Sequence, residues 1–239
     1  MPHPLDGALL RANRADRHLS DASKLLDRFS ADCTRHIVRT NDPETGRPTL
    51  KLDGVPPLPE TLPLVVSDAI HNLRAALDYI VFELALYDSG KVQRGTQFII
   101  EDVKFDPADT KRGFDARSKQ YLKGLSPDHI RGIEALQPYN GVKWTETLRE
   151  ISNPDKHRRL IDLTAEDGWF TIVAQPGTDG GGIVFTGIGY DDYNWKVEAH
   201  YSVSIADPNR GFPSLMSTLH QIETAVYQTI DTFKPEFKV

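Results

Sequence analysis

The run LPLVVSDAIHNLRAALDYIVFELALY, residues 62–87, decides how the chain folds. Its residues Val66, Ala69, Leu73, Leu77, Ile80 and Leu84 recur at steps of three and four, which sets them on one helical face. Ile70, Ala76, Val81 and Ala85 widen that face, so the spacing predicts a central helix packed on most sides. Thr61 can cap it. Pro63 falls in its first turn, where a missing N–H is harmless. As a membrane span the run fails. Asp68, His71, Arg74, Asp78 and Glu83 interrupt it, and each charge at a bilayer centre would cost roughly 2.5 kcal/mol or more.

On the N-terminal side, Ala12, Ala15, Leu19, Ala22, Leu26 and Phe29 give residues 8–31 one helical stripe. Two short runs, 36–40 and 49–53, flank the turn-forming NDPETG and predict a hairpin. On the C-terminal side QFII, 97–100, reads as a short strand, and 101–115 as a polar loop. A helix near 116–124 follows, then one capped by Ser126 and stopped by Pro138. Trp144, Leu148 and Ile151 share a face of the next helix. Asn153-Pro154 is expected to break it and cap a new one, DKHRRLIDL.

Residues 169–206 change character. WFTIVAQ, GGIVFTGIG and WKVEAHYSVSI are strand-like. In the last, Val197, Ala199, Tyr201, Val203 and Ile205 alternate with polar residues, as in a half-buried strand of an antiparallel meander. Leu215, Leu219, Ile222, Val226, Ile230 and Phe233 then mark a C-terminal helix. The predicted class is α+β: a helical bundle core with a small antiparallel sheet, made of an N-terminal hairpin and a C-terminal meander. It reads as a single domain over 1–239, with the helical core at 8–165, strands at 169–206 and the last helix at 213–233.

Composition fits that reading. The 239 residues are 39% hydrophobic and 26% charged, enough to bury a real core. A net charge of -6 disfavours duplex DNA, which is usually met by a strongly basic face. Cys33 is the single cysteine, so a disulfide framework is excluded, and the chain is expected in the reducing cytoplasm. MPHPLDG lacks the basic and apolar segments of a signal peptide, and no membrane partner is expected.

The chemistry sits in HNLRAALDY, residues 71–79. His71, Arg74 and Asp78 are spaced by three and then four along one flank of the central helix. Charges buried there need partners. Arg11, Arg14 and His18 on the first helix could supply them, as could Asp155, Lys156, His157 and Arg158 after Pro154. Sites in helical bundles are assembled in this way from facing helices. A non-enzymatic binding or assembly module, in which the cluster is a structural polar network that fixes helix register, is one alternative. A metal set of His18, His71, His157 and Asp78 is another. PGTDGGG and GYDDYNW read as turns. GxSxG, HExxH and CxxC do not occur.

HLSDA at 18–22, DAIHNLRAALDYIVFELA, IEALQPYNG and ISNPDKHRRL, in this order, resemble a widespread family of bacterial proteins, often actinobacterial, that carries no established activity. The likeness covers about residues 10–165. A looser similarity is to HEPN-domain ribonucleases, which are dimeric helical bundles with an Arg-x4-6-His motif. Here Tyr79 stands at the matching place after Arg74, where those enzymes have histidine. That resemblance implies a metal-independent RNA-cleaving enzyme with no cofactor, RNA as partner and a homodimer. His71, Arg74 and His157 would then be catalytic, supported by Arg14, His18, Asp78, Tyr79, Asn153, Lys156 and Arg158.

Overall fold

The structure, a computed structural model, describes residues 2–35, 37–41, 44, 48–52, 56–157, 161, 163–174, 195–205 and 214–237. Of 37–41, 48–52, 153–157, 164, 166–174 and 195–202 it describes the backbone alone. The chain divides into two compact units. The first comprises Met1–Asp21, Pro63–Asp162 and Met216–Val239, the second Ala22–Leu62 and Leu163–Leu215.

Six α-helices dominate the described residues: α1 Asp6–Arg35, α2 Leu62–Ser89, α3 Phe114–Tyr121, α4 Pro127–Ala135, α5 Lys143–His157 and α6 Leu215–Phe233. The α+β expectation is corrected accordingly, because the described residues are predominantly helical and no small sheet forms a layer among them. Among these residues strand pairing is confined to two separate two-stranded ladders. In one, β1 Ile37–Asn41 pairs with β2 Pro48–Leu52; in the other, β3 Leu163–Ala174 pairs with β4 Trp195–Ile205. The physical reason is that a two-stranded ribbon buries too little surface to act as a layer. The meander required a third strand at 181–189, and that stretch, with PGTDGGG and most of GYDDYNW, lies outside the described residues.

The core of the first unit follows the helical stripes. On α2 the side chains of Val66, Ala69, Leu73, Leu77, Ile80 and Leu84 are all fully buried, as are Ala12 and Ala15 on α1. Leu219, Ile222, Val226 and Ile230 complete the same core from α6. Burying a leucine or isoleucine contributes roughly 1.5–3 kcal/mol, so these stripes, rather than helix propensity, hold the helices in place. Ser126 caps α4 as expected, its Oγ accepting the His129 N–H at 3.3 Å. One member of the core is out of keeping. Glu223 on α6 is buried, with Oε1 unbonded. Burial pushes its carboxyl up, Asp16 adds to that, and His220 works against it.

In the second unit Ala22, Phe29 and Cys33 are buried from α1, and Val203 and Ile205 from β4. Ser204, expected on a solvent-facing side, is buried as well. Burial also raises the Cys33 thiol, with Asp32 adding to the effect.

Two local expectations fail. Helix α5 continues through Pro154 to His157, although proline removes one intrahelical donor and crowds the preceding turn. The described part of DKHRRLIDL forms no separate helix: Asp155–His157 close α5, and Leu163 opens β3. QFII, residues 97–100, forms no strand and pairs with none among the described residues. Side chains take the place of a neighbouring strand there, and they define the site.

Candidate functional site: a cationic cleft over Arg74

Several backbone groups of the segment Gln97–Glu101 are met by partners from the first unit. The Gln97 N–H donates to the Tyr121 carbonyl at 3.2 Å. Asp78 Oδ1 accepts the Phe98 N–H at 2.8 Å, and Arg74 Nη2 donates to the Phe98 carbonyl at 3.0 Å. Four residues apart on α2, these two side chains emerge one above the other, so together they grip both polar groups of one residue. Gln137, fully buried, does the same further on. Its Nε2 donates to the Ile99 carbonyl at 3.0 Å and its Oε1 accepts the Glu101 N–H at 2.8 Å. Buried backbone groups demand such partners. This is why Arg74 and Asp78 stand beside the apolar stripe of α2.

A cleft of about 680 Å³ opens beside this segment. Its lining includes five cationic side chains, Arg74, Lys111, Arg112, Arg117 and Arg149, against three carboxylates, Glu101, Asp102 and Glu150. Arg117 Nε lies 3.3 Å from Glu101 Oε1, and Arg149 is paired with Asp102. The Arg117 guanidinium also stands 5.1 Å over the Tyr121 ring. Lys111 and Arg112 make no ion pair among the described residues. Arg74 is 8% exposed, and its Nε–H is buried with no acceptor. Burial pulls its guanidinium down from the ordinary value, and Asp78 pushes it back up. The cleft therefore holds more positive charge than its own carboxylates neutralise.

The cleft gathers only some of the residues expected from sequence. Arg74 lines it; His71, Arg14, His18 and Tyr79 do not. Asp78 stands behind it, holding Phe98. His71 is exposed on α2, Arg14 is exposed on α1 and His18 is half-buried there. The Tyr79 ring lies against α1, where a Cβ on Gly7 would come within 2.8 Å of its Cδ1 and the Arg11 guanidinium stands 5.6 Å from its centroid. Arg11 also donates to Asn72 Oδ1 at 3.4 Å, so it stitches α1 to α2. Asn153, Lys156 and His157 have their backbone in the last turns of α5, and Arg158 lies outside the described residues. Among the described residues no three His, Cys, Asp or Glu side chains come together to hold a metal. His18, His71 and Asp78 are thus not assembled into a metal site.

Gln137, Lys111, Arg112, Arg117 and Arg149 were missed from sequence. The Lys-Arg pair inside the polar loop 101–115 was the one local cue. Arg117 and Arg149 carry no local cue.

No helix among the described residues is long and apolar enough to cross a membrane. Comparison with family models, with curated proteins and with solved structures returns no match.

Proposed function

We propose that this protein binds an anionic, phosphate-bearing ligand in the cleft over Arg74. The carrying observation is the buried Arg74 guanidinium with an unbonded Nε, beside two cations, Lys111 and Arg112, that no carboxylate among the described residues pairs. A buried charge left short of partners is costly, and an incoming anion offsets that cost. Arginine suits phosphate because its planar donors match the oxygens in pairs. The test is titration of the purified chain with inorganic pyrophosphate and with a labelled single-stranded RNA. Both should bind, more weakly as salt rises, and Lys111→Gln with Arg112→Gln should weaken both about tenfold or more. Absence of binding by either probe discards the proposal.

RNA cleavage, which the likeness to HEPN ribonucleases implies, is a second reading. One feature favours it: α5 supplies Arg149, Glu150 and Ser152 to the cleft, and His157 follows Glu150 by seven residues, two turns, on the same helix. In this reading Arg74 stabilises the phosphate and His157 moves the proton. His71 is outside the cleft and has no part in the reaction. RNA left intact by the wild-type chain discards it, and so does a His157→Ala variant that cuts at the same rate. Residence in the cytoplasm and a homodimer belong with the same reading; sedimentation velocity reads the second.

A further inference from the structure

A second cleft, of about 520 Å³, opens in the first unit along α4, the start of α5 and α6. Its size suits a small organic molecule. Trp144, Leu136, Ala225 and Phe233 give it a largely apolar wall, and no lysine or arginine lines it. Its charged members are the carboxylates Asp128, paired with Arg131, and Glu236.

One corner is unusual. His129 Nδ1 lies 2.7 Å from Asp88 Oδ2, an oxygen that also accepts the Ser126 N–H at 2.6 Å. Facing a carboxylate acceptor, Nδ1 is the nitrogen that carries the proton. The ring's other nitrogen, Nε2, lies 3.8 Å from Glu236 Oε2, too far for a direct hydrogen bond, so a donor group entering the cleft can reach both atoms. The Phe233 ring stands edge-on to His129, with centroids 6.2 Å apart. An aromatic wall and a negative mouth are complementary to a cation with an apolar body.

We infer that this cleft binds an organic ammonium ion, its N–H groups directed to Glu236 and His129 and its hydrocarbon part laid against Trp144 and Phe233. The ligand differs in sign from the one assigned to the Arg74 cleft, so the two proposals stand or fall separately.

The experiment is calorimetric titration of the full chain with hexylammonium chloride, sodium hexanoate and 1-hexanol. Hexylammonium should bind at one site per chain, and the other two at least about tenfold more weakly. Glu236→Gln, at a side chain 56% exposed and therefore safe for the fold, should weaken hexylammonium about tenfold, the share of a charge-assisted hydrogen bond. Trp144→Ala should weaken it as well. Equal binding of hexanol, undiminished binding by the Glu236→Gln protein, or no binding of hexylammonium at all would each overturn the inference.

Discussion

Arg74 donates from Nη2 to the carbonyl oxygen of Phe98 at 3.0 Å, and the residue one turn later on the same helix takes the Phe98 N–H. The most polar part of α2 is thus a grip on a passing extended segment. Removing either half leaves a backbone group without its partner. Asp78→Ala and Arg74→Ala should each lower unfolding free energy by about 1–3 kcal/mol, since both bonds are charge-assisted. Urea unfolding measures both, and a loss below about 0.5 kcal/mol, the scatter of ordinary surface changes, would refute the grip.

Gln137 should matter as much. Gln137→Ala strands the Ile99 carbonyl and the Glu101 N–H together. About 2–3 kcal/mol should be lost, with faster amide exchange at Glu101. Exchange at Glu101 unchanged from wild type would show that another group holds it.

Gly113 shapes the loop that carries Lys111 and Arg112. Its φ of +84° suits glycine, and a Cβ there would sit 2.9 Å from the Lys104 carbonyl oxygen. Gly113→Ala should therefore destabilise the chain by about 1–3 kcal/mol and also weaken pyrophosphate binding. Thermal melting and titration read the two effects. Full affinity in a protein with a lowered Tm would separate the loop from the anion cleft.

Glu223 sets a pH dependence. Its carboxyl is raised in the folded chain, chiefly by burial. A raised acid contributes stability that is present below its unfolded value and is lost as pH climbs through the folded one. Glu223→Gln should consequently raise Tm at pH 8, with the gain shrinking towards pH 4. A difference in Tm that stays constant over that range would mean that the carboxyl titrates normally.

These results show which parts of the molecule the sequence exposes. Helical stripes were legible because period 3.6 appears in Val66, Leu73, Leu77 and Leu84 without knowledge of any neighbour. Ser126 was legible because capping is local. QFII was misread because β-branched and aromatic residues suit any buried extended segment, whether its partner is a strand or a set of side chains. The end of α5 was misread because a proline's local penalty can be overridden by context. For the site, Arg74 and Asp78 announced themselves as charges in an apolar run, yet their partner was a backbone 20 to 24 residues away. Lys111, Arg117 and Arg149 come from three separate segments, and only the fold brings them to one cleft.

Cys33 has a practical consequence. It is the sole thiol of the chain and wholly hidden within the second unit. A sulfhydryl-specific dye can reach it only while that unit is open, so the rate of colouring in native buffer times such openings without any engineered label.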